Sequence, residues 1–260
     1  VAKTVGQEGI AGIHIEGPHI SVARRGTHAA EHVRPLDDHT LNLAAWLRRQ
    51  GVPVMITLAP EAVAEGQIAA LAGMGAIVAI GHSDASARQV RAALAEGAQT
   101  FTHLFNAMSQ MQGREPGVAG AAINSSAHVS IIADGIHVCP EMLALAIRAR
   151  PVPDRMILVT DAMPTVAGPD SYMLYGRRIT LSEGRLVNDQ GALAGAHVTM
   201  LQSLRFIVES LGRPMEEALR MAITNPAGLI GLDTLARLEG RRASDVLHVA
   251  PGLGSCSWLL

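Results

Sequence analysis

The sequence predicts an α/β protein built as a parallel β/α barrel, and three observations carry that prediction. Six short aliphatic or β-branched runs alternate with alanine-rich helical stretches, the pattern of right-handed βαβ units around a parallel sheet. The chain has 260 residues, and barrels of roughly 250 residues commonly fold as one unit. Five of the six strand candidates end in, or run directly into, His, Asp or Glu. In a parallel barrel every strand opens at its C-terminal end onto one face, where barrel enzymes place their chemistry.

The elements follow in order. Strands are expected at Ile10–Glu16, Pro53–Ala59, Ala76–Gly81, Gln99–His103, His128–Ala133 and Met156–Thr160. Thr40–Gln50 reads as a helix, with Leu43, Trp46 and Leu47 at 3-4 spacing. Ala62–Gly73 and Ser86–Gly97 read likewise, the second opening on Ser86 as its N-cap. Gly51, Gly75 and Gly97 stand where helices should stop. Pro140–Arg150 is a further helix with proline early. Beyond Thr160 the alternation ends. Tyr172–Val187 reads as a hairpin or loop excursion, Thr199–Leu211 and Met215–Thr224 as helices, and Leu235–Ala250 as a segment ending in a strand.

Composition narrows the function. Net charge is -2 with no basic block, which argues against nucleic acid and anionic membranes as partners. Apolar runs stop short of the ~20 residues of a membrane helix, and no secretory leader opens the chain. Aromatics are only 3%, too few for a stacking platform. Cys139 and Cys256 fit no CxxC or disulfide framework, so a reduced cytoplasmic compartment is expected. The chain opens on Val1 and stops at Leu260 without a polar tail, and a partial polypeptide is the expectation.

At the strand ends stand His14-Ile15-Glu16, Gly81-His82-Ser83-Asp84, Thr102-His103, Asp134-Gly135-Ile136-His137 and Thr160-Asp161. A carboxylate and imidazoles from separate strands make a suitable shell for Zn²⁺ or Fe²⁺ with open positions for water and substrate. A free carboxylate on the last strand, Asp161, could then take a proton from water and give it to a leaving amine. Which of His14, Glu16 and His19 in "GIHIEGPHI" is a ligand is open at this level, although His14 and Glu16 must share a face.

The segments "GIHIEGPHI", "RRGTHAAEHVRP", "GHSDAS", "THLFNAM", "GREPGVAG", "IADGIHV", "LVTDAM" and "GALAGAHVTM" together resemble the N-acetylglucosamine-6-phosphate deacetylase family of the amidohydrolase superfamily. The resemblance runs in order from about Ile10 to Met200. It implies a TIM-type (β/α)8 barrel, here lacking its first two strands, over residues 1–234. Residues 235–260 would return to a small β-sandwich domain of which little else is present. The implied reaction is hydrolysis of the acetamide of N-acetyl-D-glucosamine 6-phosphate to acetate and D-glucosamine 6-phosphate, in amino-sugar catabolism. Glu16, His82 and His103 resemble the ligands of one divalent metal, and Asp161 resembles the acid/base. A second metal in the complete protein is left open. His28, with Thr27 beside it, resembles the residue that meets the acetamide. Asn106, Ala107, Arg114, Asp134, Gly135, Ile136, His137, Leu193, Ala194 and Gly195 resemble substrate contacts, with Arg114 the phosphate partner, since a guanidinium fork suits phosphate oxygens. A homodimer is expected of the complete protein.

The remaining polar residues receive structural readings. His14 is expected in the barrel interior one layer below Glu16, and His19 in a loop. His32, His39, His128, His197 and His248 are expected to be solvated or locally bonded, Asp84 to cap the next helix, and Met108 and Met111 to pack. Three alternatives are set against the deacetylase. One is the galactosamine epimer as substrate. Another is nucleobase deamination or cyclic amide hydrolysis, in which "GREPG" and "DGIH" have no evident role. The last is an inactive, truncated sugar-phosphate binder.

Overall fold

Aliphatic strands bounded by glycines, and helices opened by side-chain caps, form where the pattern demands them. A computed structural model describes residues 2–6 and 9–259, and the chain divides into two compact units, residues 1–129 and 130–260.

In the first unit, β1 (Ile13–Glu16), α1 (Asp38–Arg49), β2 (Val54–Leu58), α2 (Gln67–Gly73), β3 (Ile77–Ile80), α3 (Ala87–Ala95), β4 (Thr100–Phe101), α4 (Gly117–Asn124) and the beginning of β5 (His128–Ile132) succeed one another. The strands pair in parallel in chain order, with Glu16 beside Thr57, Thr57 beside Ala79, Ala79 beside Thr100 and Thr100 beside His128. Every residue of β3 is buried, as a parallel strand covered on both faces should be. Ile56, Leu58, Leu71, Ile80, Phe101 and Leu104 are the fully buried side chains around it, each contributing ~1.5–3 kcal/mol by leaving water. The Asp37 carboxylate accepts from Thr40 N at 2.9 Å to open α1. Ser86 and Gln89 form a reciprocal capping box at α3.

One helix departs from the sequence reading. No helix was expected between Gln99–His103 and His128–Ala133, yet α4 lies there. Gly117 to Ile123 are all buried, so this helix is apolar all round and shows no stripe of 3.6 period. Its small residues permit close approach. A Cβ on Gly117 would fall 2.8 Å from the Ser109 and Gln110 carbonyls, and one on Gly120 would fall 2.7 Å from Pro116 Cβ.

In the second unit the end of β5 and β6 (Met156–Val159) are neighbours, joined through α5 (Pro140–Ala149). The Tyr172–Val187 region is more than a hairpin. It forms β7 (Ser171–Leu174), β8 (Arg177–Ser182) and β9 (Arg185–Val187), and with β10 (Leu193–Ala196) they make a four-stranded antiparallel sheet in the order β10-β9-β8-β7. Tyr175-Gly176 and Glu183-Gly184 turn the chain with positive φ at both positions, the geometry that matches strand twist in two-residue hairpin loops. Ile179, Leu186 and Ala194 are its buried core, with Met163, Tyr172, Leu174 and Leu181 packed against them.

Then come α6 (Met200–Arg205) and α7 (Met215–Leu219), each continuing in a π turn, and α8 (Asn225–Leu229). The last segment holds two strands rather than one, β11 (Leu247–Val249) antiparallel to β12 (Cys256–Trp258). No helix among the described residues is long and apolar enough to cross a membrane. Cys139 and Cys256 are both free.

Candidate metal centre

Glu16 ends β1, His82 follows β3 by two residues, and His103 follows β4 by two. Parallel pairing brings these three strand ends onto one side of the first unit. His82 and His103 are buried and Glu16 is partly so. His82 Nε2 lies 2.9 Å and His103 Nε2 2.8 Å from Glu16 Oε1, and the two nitrogens are 3.1 Å apart. Both histidines adopt left-handed backbone, φ 47° at His82 and 33° at His103. Non-glycine residues held there cost on the order of 1–3 kcal/mol and cluster at functional sites.

Their protonation tests the fit to a cation. The Nδ1 of His82 is 2.9 Å from the Arg24 carbonyl, which can only accept, so Nδ1 carries the proton. In the neutral ring Nε2 then presents a lone pair to the Glu16 oxygen, and two acceptors face each other at 2.9 Å. A proton or a metal ion must lie between them. Burial works against charge on Glu16, but the adjoining His103 and His82 imidazoles outweigh it and hold the carboxyl well below the usual range. An anionic oxygen and two imidazole nitrogens, all within 4.8 Å of one another, can share one divalent ion at ~2.0–2.2 Å. An imidazole whose outer N–H is fixed by a carbonyl is the usual metal-ligand arrangement.

The loop between β1 and α1 encloses this cluster. Ser21 N donates to the His82 carbonyl at 2.8 Å. His28 packs edge-on against His82, ring centroids 4.9 Å apart. Burial, then the nearby His82, pushes the His28 imidazole below its ordinary pKa, leaving a neutral ring able to donate or accept. Thr27 precedes it, half-buried. Asn106 Nδ2 donates to the His103 and Leu104 carbonyls at 3.3 Å each. Ala107, at φ 49°, offers its carbonyl to Ser83 N at 3.1 Å. Arg114 is exposed in the loop before α4, and no hydrogen bond or ion pair holds its guanidinium among the described residues.

The other expected site residues belong to the second unit. Asp134 Oδ1 accepts from Ile136 N and His137 N at 2.9 Å each, and its Oδ2 meets His137 Nδ1 at 2.7 Å. Burial opposes its charge, but these bonds outweigh it and keep the carboxyl below its normal value. The turn at Gly135, φ 70°, lets Asp134 fix both the backbone and the ring of His137, whose Nε2 has no partner among the described residues. Asp161, two residues past β6, also has positive φ, 51°. Its carbonyl accepts from Ala196 N at 2.9 Å, and Met163 N donates back to the Ala196 carbonyl at 3.1 Å. Leu193, Ala194 and Gly195 form β10, which therefore braces the Asp161 turn.

Several residues have roles the sequence did not disclose. His19 is a loop residue as expected, but it is fully buried. Its Nδ1 bonds the Pro35 carbonyl at 2.9 Å and its Nε2 meets Thr40 Oγ1 at 2.8 Å, so it pins the loop to α1. Asp84 does not cap α3. Ser86 holds that position, and Asp84 instead accepts from Arg24 Nε at 2.7 Å, tying down the residue whose carbonyl holds His82. His14 is exposed rather than interior as expected, and it meets Thr57 Oγ1 at 2.6 Å, while His197 Nδ1 lies 3.0 Å from Thr165 Oγ1.

No protein-family model matches the chain. It is 39% identical over 238 residues to the N-acetylgalactosamine-6-phosphate deacetylase of a Shewanella species, covering 90% of this chain and 60% of the relative. It is 35% identical over 227 residues to the N-acetylglucosamine-6-phosphate deacetylase of Haemophilus influenzae, covering 85% and 58% respectively. The crystal structure of the Pasteurella multocida N-acetylglucosamine-6-phosphate deacetylase superposes with a TM-score of 0.83 at 35% identity, covering 91% of this chain and 63% of that one. The chain thus spans about 60% of the length of the curated relatives it matches.

Proposed function

We propose that this chain, a relative of the N-acetylhexosamine-6-phosphate deacetylases along nine-tenths of its length, serves the hydrolysis of an N-acetylhexosamine 6-phosphate to acetate and the amino-sugar phosphate. The convergence of Glu16, His82 and His103 on one point carries the reading. On this reading residues 1–234 belong to a (β/α)8 barrel and 235–260 to a small β-sandwich, in a cytoplasmic homodimer.

Glu16, His82 and His103 would hold one divalent ion, Zn²⁺ or Fe²⁺. Bound there, the ion supplies Lewis acidity toward water and the acetamide carbonyl. Neutral His28 orients the acetamide. Arg114 holds the phosphate through its free guanidinium fork. Asp161 takes a proton from the attacking water and delivers it to the nitrogen as the C–N bond breaks, so the neutral amine leaves with acetic acid, which gives up its own proton to solvent to become acetate. Asn106, Ala107, the Asp134–His137 turn and Leu193–Gly195 line the sugar. Because Asp134 is occupied with its own turn, His137 Nε2 is the group of that turn that meets substrate.

The galactosamine epimer stands as a second reading, favoured by the 39% identity to the Shewanella relative against 35% to the Haemophilus one. Release of acetate, measured with both epimers and with each sugar lacking phosphate, tests the proposal and decides between them. Acetate formation from neither phosphorylated epimer by metal-loaded protein would refute it.

A further inference from the structure

Beneath the three ligands, the inward face of the first unit carries a hydrogen-bonded chain that no role described so far requires. Thr57 Oγ1 lies 2.6 Å from His14 Nε2 and 2.7 Å from Thr102 Oγ1. Thr57 is completely buried and Thr102 nearly so. Thr57 is on β2, and Thr102 continues β4. Strand β3 runs between them, so their hydroxyls meet across a strand to which neither belongs. Gly81 makes this contact possible. A Cβ at position 81 would stand 2.8 Å from Thr57 Cγ2 and 2.9 Å from Thr102 Cβ, wedging the two threonines apart.

Each member adjoins a ligand. Thr57 is the cross-strand neighbour of Glu16, Gly81 precedes His82, and Thr102 precedes His103. His14 shares the face of Glu16, two residues earlier on β1. The chain therefore links β1, β2 and β4 by side chains one layer below the cluster and crosses β3 where it delivers His82.

Donor accounting gives the chain a direction. Run from His14 toward Thr102, it would leave the Thr102 hydroxyl hydrogen in a buried site with no acceptor among the described residues, at a cost of about 1–3 kcal/mol. Run the other way, Thr102 donates to Thr57 and Thr57 donates to the Nε2 lone pair of a neutral His14, and both hydroxyl protons have a partner.

We infer that Thr57 and Thr102, hydrogen-bonded over Gly81, are positioning residues that set the spacing of the Glu16–His82–His103 metal shell. The inference rests on that shell being the metal site. Packing alone would fix these strands to the tolerance of apolar contacts. Directed bonds between strand ends hold donor atoms to the closer tolerance that a metal shell needs.

The test is metal affinity, measured on the full-length protein by competition with a chromophoric chelator using Zn²⁺, alongside thermal unfolding of the metal-free form. Thr57→Val and Thr102→Val keep the shape and delete a hydroxyl. Each should weaken Zn²⁺ binding by about 10-fold, the low end of what outer partners of metal ligands contribute. Thr57→Ser should restore it to within about 3-fold, and the double valine variant should lose little more than Thr57→Val alone, because that variant already removes both the Thr57–Thr102 and the Thr57–His14 bonds. Gly81→Ala should weaken binding with both hydroxyls present. Wild-type affinity in both single valine variants would overturn the inference, as would losses that add in the double variant. His82→Ala separates this from the assignment beneath it. If that variant binds Zn²⁺ as tightly as wild type, the shell itself is wrong. If it loses Zn²⁺ while the valine variants do not, only the positioning role falls.

Discussion

Arg114→Ala isolates recognition from stability, because of where the structure leaves the guanidinium. Arg114 is exposed and nothing among the described residues bonds it. Its removal creates no cavity and orphans no partner, so the folding free energy should stay within about 0.5 kcal/mol of wild type. If the fork instead meets phosphate, a hydrogen bond between charged groups is lost, worth ~1.5–3 kcal/mol. At 1.4 kcal/mol per tenfold, KM for the phosphorylated sugar should rise roughly 10- to 150-fold. The same sugar without phosphate never makes that contact, and its kinetics should not change. Steady-state acetate release with the paired substrates, beside a urea unfolding curve, measures all three quantities. Equal losses for both sugars, or a large shift in the unfolding midpoint, would show that Arg114 supports its loop and that phosphate is held elsewhere.

Other perturbations read other parts of the site. His103→Ala removes one of three converging donors, and the purified protein should lose both bound divalent metal, by elemental analysis, and turnover. Full activity without metal would contradict the shell. Asp161→Asn keeps the side chain's shape but cannot take up a proton. Acetate release should fall by roughly 10²–10⁴ while substrate still binds by calorimetry, and near-normal turnover would remove Asp161 from the reaction. His19→Ala opens a cavity in a fully buried site and orphans the Pro35 carbonyl and Thr40 hydroxyl. Unfolding in urea should show a loss of about 2–4 kcal/mol, and a stability equal to wild type would mean that the loop repacks at no cost.

The sequence made the strand ends legible because parallel pairing has one consequence that needs no coordinates. Consecutive strands present their C-terminal residues on the same side, so the His, Asp and Glu residues at five strand ends could be grouped from their positions. The choice of Glu16, His82 and His103 as the ligand set comes only from the family resemblance. What stayed hidden depends on which elements touch. Helix α4 lacks an exposed face, and "GVAGAAIN" carries no periodic signal. The Thr57–Thr102 bond exists only because β3 lies between β2 and β4 and bears glycine at the crossing. Nothing in "MITLAP" or "TFTHLF" points to the other. His19 in a glycine-proline loop looks solvated until α1 supplies Thr40 as its partner. Asp84 looked like a helix cap since it precedes α3 by three residues. The capping box of Ser86 with Gln89 satisfies that terminus, which frees Asp84 for Arg24.

The left-handed residues bring these strands of argument together. His82, His103 and Asp161 sit at φ 47°, 33° and 51°, each two residues past a strand and each assigned to chemistry by its position. A strand that simply continued would keep its next side chain in the sheet's alternation, pointing along the pleat. A left-handed residue breaks that alternation and turns a side chain out over the sheet's end. Such a conformation persists only where surroundings over-determine it. Around His82 and His103 these are the buried Phe101, Leu104 and Met108, the Arg24 and Ala107 carbonyls and the threonine chain across Gly81. For Asp161 the paired bonds to Ala196 serve the same end. Left-handed backbone also occurs at Phe105, Ala107, Tyr175, Glu183 and Leu253, but at His82, His103 and Asp161 it coincides with strand ends that position selects. At His82, His103 and Asp161 that backbone cost is tied to where a strand-end side chain is aimed.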